Sequence, residues 1–340
     1  MNNPMSNPIG IADAFCKKYA DAMAKIESVR LMKGKELPDW PYWCFLPLPC
    51  WVALFMGKQH QSLTQVTRSQ ELWQETEKLS VLGTWRYSKG IYTLPPSLLN
   101  ALTETSLSDS LPADVLLRLP EWCIYVRTPD LFIEGERLYG FWAMTNSDDF
   151  TENKSLFLLL NRQSGIRTEL LPLKDSSVSA IIETAFHQKL DVSGAEAELK
   201  ESIKQSEVVS DYLKRKSETF CRLLSILLYI CSDEPEIDSE RQPGTYPVRP
   251  APVKTKKGYR LFPASGPRYW TVGEKTGRLL DEAALYDDAE TTSSTGRHMR
   301  THLRRGHWHG FWSGKMDGSE ARKFSYRWLP PQVIGGHRKP

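Results

Sequence analysis

Four of the seven histidines in the chain fall within residues 297–312, in the sequence RHMRTHLRRGHWHGFW. This stretch also contains four arginines, two tryptophans and a phenylalanine. Imidazoles exchange protons near neutral pH, guanidinium groups bind phosphate, and aromatic rings stack on nucleotide bases. The composition therefore indicates one of three chemistries: acid–base catalysis on a phosphate ester, metal binding, or contact with nucleic acid.

Acid–base catalysis here would be that of a metal-independent ribonuclease. Such an enzyme needs a base for the 2′-hydroxyl proton, an acid for the departing 5′-oxygen, and cations for the charge that develops on the phosphorus oxygens. The candidate catalytic residues are His302, His307 and His309, with either the first two or the last two as the acid–base pair. The candidate nucleic-acid-binding residues are Arg297, Arg300, Arg304, Arg305, Trp308 and Arg327.

Three alternatives stay open beside catalysis. His307 and His309 form an HxH pair that, together with His302, could hold zinc and leave one coordination position for water. No cysteine follows Cys231, however, and the arginines disfavour a divalent cation, so we predict neither a metal nor another cofactor. The other two alternatives are nucleic-acid or ribosome binding without catalysis, and a solvated strand face that binds nothing.

Charge separates the end of the chain from the rest. Residues 296–340 contain ten lysines and arginines and two acidic residues, a formal charge of +8, whereas the whole chain carries +3. The remainder is therefore acidic, at −5. A basic segment on an acidic body favours an anionic partner, such as RNA, for that segment.

Short strands are the elements expected to position the histidines. His307 and His309 alternate with Trp308, and the apolar residues of 323–328 alternate with polar ones, as in two strands that each bury one face. The polar sequence KMDGSE separates the two segments, which predicts that they pair as a hairpin. One face of this hairpin would present the imidazoles, and the other would bury Trp308.

The rest of the chain predicts an α+β fold, in which N-terminal helices pack on an antiparallel sheet and a small basic α+β module follows. Strands are expected between residues 122 and 173, and a long helix with an apolar end over 195–232. The alternation of Trp85 and Tyr87 before SKG, and of apolar residues after it, predicts another hairpin. The predicted parts are a body over 1–235, a proline-rich linker over 236–257, and a basic module over 258–340.

Aromatic residues near the N-terminus form a second candidate surface. The sequence WPYWCFLPLPCW combines rings with prolines, a composition that can recognise an extended peptide, although such segments more often belong to a core. The candidate peptide-binding residues are Trp40, Tyr42, Trp43 and Trp85.

Composition also predicts where the protein acts. No apolar run has the length of about 18 to 20 residues that a membrane-spanning helix needs. The six cysteines show neither zinc-ligand spacing nor the density of a disulfide scaffold. We therefore expect a cytoplasmic protein with reduced thiols and no membrane partner.

Several segments resemble the second family of type V-A anti-CRISPR proteins. These segments are HLRRGHWHGFWSG, RKFSYRWLPPQVIG and YRLFPASGPRYWTVGEKTGRLL near the C-terminus, and WPYWCFLPL, LGTWRYSKGIYTLPPSLLNAL and LPADVLLRLPEWCIYV before them. The residues that match the family pattern are His302, Arg304, Arg305, Gly306, His307, Trp308, His309, Trp312, Gly314, Arg327, Trp328, Pro330 and Pro331. The likeness covers most of the chain and carries no catalytic assignment onto these positions.

The resemblance implies a particular mode of inhibition. Members of this family lower the amount of the type V-A effector nuclease, Cas12a, through a translation-dependent loss of its mRNA, with recognition of the nascent effector polypeptide. By that analogy the N-terminal body would bind the peptide, and the basic end would contact mRNA or the ribosome. Whether the protein cuts RNA itself or recruits a host nuclease stays open, as do two other functions: a general ribonuclease acting as a plasmid toxin, and a stoichiometric blocker of the finished effector.

Overall fold

The computed structural model describes most of the chain. The described residues are 7–59, 62–107, 111–150, 153–173, 177–178, 180–182, 184, 207–291, 302–304, 306–313, 323–330 and 332–334. Arg297, Arg300 and Arg305, three of the predicted nucleic-acid-binding residues, lie outside them, as do Gly314 and Pro331 of the family pattern.

The secondary structure alternates helical and β segments along the chain. The helices are α1 (Pro8–Lys18), α2 (Ala20–Arg30), α3 (Leu48–Gln59), α4 (Leu63–Arg68), α5 (Gln70–Trp85), α6 (Pro96–Thr103), α7 (Glu207–Ile230) and α8 (Glu274–Thr291), with a 3₁₀ helix over Ala113–Arg118. The strands are β1 (Gly90–Thr93), β2 (Cys123–Ile133), β3 (Glu136–Ser147), β4 (Lys154–Arg162), β5 (Gly165–Pro172), β6 (Ile237–Ser239), β7 (Val253–Thr255), β8 (Gly258–Arg260), β9 (Arg268–Val272), β10 (His302–Arg304), β11 (His307–Ser313), β12 (Lys323–Leu329) and β13 (Gln332–Ile334).

A seven-stranded sheet organises the fold, with strand order β5-β4-β3-β2-β1-β9-β6. Strands β2 to β5 form an antiparallel meander. The β2–β3 connection is a two-residue turn, Glu134–Gly135, with φ of 53° and 78°. Positive φ at both positions is the type I′ geometry that matches the twist of a hairpin, and glycine adopts it without steric cost.

Helices cover both faces of this sheet because its inner strands are apolar on both sides. In β4, Leu158 faces one core with the apolar end of α7 and with α6, whereas Phe157 and Leu159 face another with α5. Burial on both faces is typical of a strand inside a layered α/β arrangement. The apolar end of α7, where Leu223 and Leu227 are fully buried, lies against the sheet as the sequence predicted.

The α+β class is confirmed, and the structure corrects two details. The sheet is mixed, since β1 pairs in parallel with both β2 and β9. The predicted hairpin around SKG is wrong: Trp85 ends helix α5, and β1 finds its partners elsewhere in the chain. The alternation of Trp85 with Tyr87 reflects a helix end whose two rings are both buried.

The sheet also crosses the predicted domain boundaries. Strand β6, at the start of the predicted linker, pairs with β9 of the predicted C-terminal module, and β9 pairs with β1 of the predicted body. The three-part division therefore stays a prediction about chain segments, and the sheet joins all three.

None of the helices in the described part of the chain has both the length and the apolar composition to cross a bilayer.

Candidate nucleic-acid interface

His307 and His309, two of the three predicted catalytic histidines, lie on a β-hairpin. Strands β11 and β12 pair antiparallel, with His307 opposite Leu329, Trp308 opposite Trp328, and His309 opposite Arg327. We call this pair of strands the histidine hairpin. Its existence and its alternation of faces confirm the prediction made from the period-two pattern.

The inner face of the histidine hairpin is fixed to the core by three aromatic side chains. Trp308, Tyr326 and Trp328 are buried, with 5%, 0% and 7% of their surface exposed. Each has a polar atom that a buried site must satisfy with a hydrogen bond. Trp308 Nε1 donates to Ser225 Oγ at 3.3 Å, Tyr326 Oη to the Leu228 carbonyl at 3.1 Å, and Trp328 Nε1 to Thr105 Oγ1 at 3.1 Å.

These contacts attach the histidine hairpin to the apolar end of α7 and to the chain just after α6. Burial raises the pKa of the Tyr326 phenol, which keeps it protonated and able to donate. Ser225 and Leu228 belong to α7 itself. The strand pair is therefore supported by a helix that packs on the main sheet, and its outer face is held in a defined orientation.

The outer face carries the imidazoles. His309 is exposed and His307 is partly exposed, and Phe311 follows them on the same face with 39% of its surface exposed. The ring centroids of His307 and His309 are 6.3 Å apart, and those of His309 and Phe311 are 4.5 Å apart in an edge-to-face contact. The structure thus presents two accessible imidazoles and one exposed ring in a row along β11.

Arg327 joins this face from the neighbouring strand. Directly opposed residues of an antiparallel pair project to the same side, so Arg327 lies beside His309. Its guanidinium Nη2 lies 3.0 Å from Glu234 Oε2, and both side chains are largely exposed. An exposed pair of this kind is weak, so Arg327 can exchange Glu234 for a phosphate.

Two predicted site residues lie on a separate strand pair. His302 and Arg304 are the ends of β10, which pairs antiparallel with β13, and only their backbone is described. The structure therefore brings together His307, His309 and Arg327 from the predicted set. In the described residues no group of three histidine, cysteine or carboxylate side chains is arranged to hold a metal ion.

Trp308 requires a correction. It was predicted to bind nucleic acid, but its indole is buried against Ser225 and cannot stack on a base in this conformation. Phe311 is the ring that the outer face exposes instead.

The predicted peptide-binding residues also need correction, because three of them are core residues. Trp40 and Trp43 are 5% and 9% exposed, and Trp85 is fully buried with its Nε1 donating to the Gly90 carbonyl at 2.9 Å. Tyr42 is 75% exposed, and the Arg249 guanidinium lies 5.1 Å from its ring centroid. Of the four, only Tyr42 offers a surface to a partner.

Sequence reasoning missed the groups that support the interface. Ser225, Thr105 and Glu234 each contact a hairpin side chain from a distant part of the chain. One signal was available for Ser225: it is the one small polar residue among the aliphatic residues of LLSILLYI, where a buried polar group needs a partner. Neither Thr105 nor Glu234 carried a comparable signal.

Comparison with known proteins finds a matching family profile, a similar sequence and a similar crystal structure. The profile of the AcrVA2-like family, described as the anti-CRISPR type V subtype A2 family, matches residues 92–336. Protein FinQ of Escherichia coli is 26% identical over 258 residues, which cover 74% of this chain and 74% of FinQ. The crystal structure of AcrVA2 is similar with a TM-score of 0.65 at 22% identity, over 96% of this chain and 98% of that one.

The structural likeness shows a shared fold, and the profile match spans most of the chain, including strands β2 to β6 and β9 of the main sheet, α7 and the histidine hairpin. This chain belongs to the AcrVA2-like family of type V-A anti-CRISPR proteins.

Proposed function

We propose that this protein inhibits type V-A CRISPR immunity by recognising the nascent Cas12a polypeptide and causing a translation-dependent loss of its mRNA. In this proposal the N-terminal body binds the peptide and the histidine hairpin contacts RNA. The observation that carries the RNA assignment is the exposed row of His307, His309 and Phe311, flanked by Arg327, on a hairpin whose opposite face is fixed to the core.

This row has the groups that an RNA contact requires. Arg327 supplies a fixed positive charge, the imidazoles can donate hydrogen bonds to phosphate oxygens, and Phe311 can stack on a base. The basic composition of residues 296–340 raises the local concentration of a polyanion near them. Attachment of the inner face to the core reduces the entropy lost on binding, because the backbone that carries these side chains is already fixed.

The same row is suited to proton transfer. An acid or base must come within about 3 Å of the atom that it serves, and a single phosphate group placed over the two rings, 6.3 Å apart, could be reached by both. One neutral imidazole would take the 2′-hydroxyl proton while one protonated imidazole would give a proton to the departing 5′-oxygen. DNA lacks the 2′-hydroxyl and would be bound without being cut. If RNA is cut by a host nuclease instead, the same face serves as the RNA contact alone.

Peptide recognition is assigned to the surface around Tyr42. The Tyr42 carbonyl accepts a hydrogen bond from Trp122 Nε1 at 3.0 Å, which fixes the backbone that carries the exposed ring. Arg249 lies against this ring, and its own Nη2 donates to the Leu119 carbonyl at 3.0 Å. An exposed tyrosine on a fixed backbone is a typical anchor for a peptide partner.

The proposal is tested in cells that express the effector together with this protein. We would compare the native effector coding sequence with a synonymously recoded one and measure both mRNA levels and CRISPR interference. Loss of mRNA in both cases means that the encoded peptide is recognised. Protection by recoding means that nucleotides are read, and it would overturn the nascent-peptide assignment.

The RNA assignment is tested with the double substitution His307→Ala and His309→Ala. We expect this variant to lose inhibition while keeping peptide binding, and a pair of exposed cations on the first two helices, Lys17→Ala and Lys25→Ala, serves as the control. Urea unfolding confirms that each variant folds. Full inhibition by the histidine variant would remove the histidine hairpin from the mechanism.

Two outcomes would favour other functions. Digestion of unrelated RNA by the purified protein, with a pH optimum, would indicate a general ribonuclease. Loss of activity when the pre-assembled effector is mixed with the protein would indicate a stoichiometric blocker.

A further inference from the structure

A second basic surface lies far along the chain from the histidine hairpin. Residues 241–273 contain seven lysines and arginines and no acidic residue. Within this stretch, β7 and β8 form a small antiparallel hairpin that pairs Val253 with Arg260, Lys254 with Tyr259, and Thr255 with Gly258. We call residues 253–260 the lysine hairpin.

The side chains of the lysine hairpin are accessible. Val253 and Tyr259 have 58% and 64% of their surface exposed, and Lys254, Lys256 and Lys257 are exposed as well. Phe262, two residues after the hairpin, is 54% exposed. Exposure of an aromatic ring to water is unfavourable relative to its burial. Exposed rings clustered with lysines on one small hairpin therefore indicate a surface that binds a partner.

In the part of the chain that the structure describes, the lysines of this hairpin lack the carboxylate partners that several other cations have. Elsewhere, Lys18, Lys154 and Lys216 each form an ion pair with a carboxylate. Within the described residues, no carboxylate forms an ion pair with Lys254, Lys256 or Lys257. Their charge is therefore available to an external anion.

The lysine hairpin is also held in place at its base and at its turn. The Leu261 amide donates to Glu27 Oε1 at 2.9 Å, and the buried Leu261 side chain packs in the core beneath the first three helices. At the turn, Thr255 Oγ1 donates to the Gly258 carbonyl at 2.7 Å and accepts from the Lys257 amide at 3.2 Å. The exposed rings thus belong to an ordered hairpin.

We infer that the lysine hairpin binds single-stranded RNA, with the lysines on phosphates and Tyr259 stacked on a base. Because Lys254 lies directly across from Tyr259, one nucleotide can meet a cation and a ring together. A duplex hides the faces of its bases and would leave the ring unused, and an acidic peptide would use the lysines without needing the ring. The inference deepens the proposed function by naming a second RNA contact. It rests on the proposed function for the identity of the RNA in the cell, whereas binding of RNA by the lysine hairpin can be measured in the purified protein.

The test measures binding of the full-length protein to a fluorescent oligouridine by anisotropy over a series of salt concentrations. Removing three phosphate contacts from a single strand lowers the salt slope by about two. We expect this change for the triple substitution Lys254→Gln, Lys256→Gln and Lys257→Gln. The control is Lys17→Gln, Lys25→Gln and Lys35→Gln, which removes the same charge from exposed positions on or just after the first two helices.

Tyr259 provides the second arm of the test. Tyr259→Ala should weaken oligouridine binding by roughly tenfold without changing the salt slope, and Tyr259→Phe should retain binding, because stacking needs the ring and not the hydroxyl. Duplex RNA of equal charge should be insensitive to both substitutions.

Three results would overturn the inference. These are equal losses in the two lysine triples, no effect of Tyr259→Ala, or binding of polyglutamate in place of oligouridine. Failure of the proposed function would be seen separately, since the variant with His307→Ala and His309→Ala keeps the lysine hairpin intact. If that variant retains inhibition in cells, oligouridine binding at the lysine hairpin is still measurable in the purified protein.

Discussion

Trp308 Nε1 and Ser225 Oγ form a buried hydrogen bond of 3.3 Å that joins the histidine hairpin to helix α7. The bond connects residues 83 positions apart and lies directly behind the exposed imidazoles. It therefore links the orientation of the proposed RNA contact to the packing of the main sheet.

Ser225→Ala should destabilise the protein by about 1–3 kcal/mol, because it leaves the buried indole N–H of Trp308 without its acceptor. Urea unfolding of the single variants and of the double variant with Trp308→Phe would measure the coupling between the two side chains. If Ser225→Ala costs as much in the Trp308→Phe background as in the native one, the hydrogen bond contributes nothing.

Glu121 should make stability depend on pH. It is buried, its Oε2 accepts a hydrogen bond from Tyr92 Oη at 3.0 Å, and burial raises its pKa to about 7, although the charge of Arg268 opposes this rise. The folded state therefore holds a proton that the unfolded chain releases above the ordinary value of 4.5. Stability falls as pH rises between these values, by about 3 kcal/mol in total from this group.

Glu121→Gln should abolish that part of the pH dependence, because the amide does not titrate. The measurement is the free energy of unfolding of both proteins at a series of pH values from about 5 to about 8. Parallel curves for the two proteins would contradict the prediction.

Gly140→Ala should be strongly destabilising. A Cβ at this position would lie 2.5 Å from the Val126 carbonyl oxygen, a backbone atom that cannot move aside without disturbing the β2–β3 pairing. Overpacking of this kind costs about 1–3 kcal/mol or more. The matched control is Gly57→Ala in α3, where nothing lies within 4 Å of the added methyl and helix propensity should give a gain of up to about 1 kcal/mol. Thermal unfolding would separate the two variants by the sign of the change in midpoint.

Lys216→Met should cost about 3–5 kcal/mol, since it removes a buried cation that faces two carboxylates. Lys216 Nζ lies 2.8 Å from Glu169 Oε1 and 3.0 Å from Glu134 Oε1, and the Glu169 side chain is 0% exposed. Lys18→Met breaks an exposed ion pair with Glu75 and should cost less than about 1 kcal/mol. Similar losses for both variants in urea unfolding would mean that burial of the Lys216 pair is unimportant.

Glu234→Gln should strengthen RNA binding by a few fold while leaving stability within about 0.5 kcal/mol, because its exposed pair with Arg327 is weak. The reason is that Arg327 would no longer be neutralised before it meets a phosphate. Anisotropy with oligouridine would show the change, and combining the substitution with Arg327→Gln should cancel it. An increase that survives Arg327→Gln would locate the effect elsewhere.

The elements that could be predicted from the sequence are those whose partners are near in the chain. The histidine hairpin followed from alternating apolar residues on either side of a polar turn, and the β2–β5 meander from successive apolar segments. The helix α7 could be placed against the sheet because its last turns are almost wholly apolar.

The features that could not be predicted depend on distant partners. Strand β1 pairs in parallel with β2 and β9, and parallel pairing leaves no turn signal next to the strand. Trp40 and Trp43 were assigned to a surface because aromatic residues serve both cores and interfaces, and only the packing of α2 and α3 around them shows their burial. The hydrogen-bond acceptors of the Trp308 and Trp328 indoles, Ser225 and Thr105, could not be predicted because they too are distant in the sequence.

The position of β1 has a consequence for the way the chain matures on the ribosome. One edge of β1 pairs with β2, which follows it closely in the chain, whereas its other edge pairs with residues 268–272, which are synthesised much later. During synthesis the hydrogen-bonding groups of that edge stay open until most of the polypeptide has emerged, which is the period when strand edges are prone to pair with other chains. Rapid completion of the chain, or a chaperone that covers the open edge of β1 until residues 268–272 have emerged, would therefore favour correct assembly of the sheet.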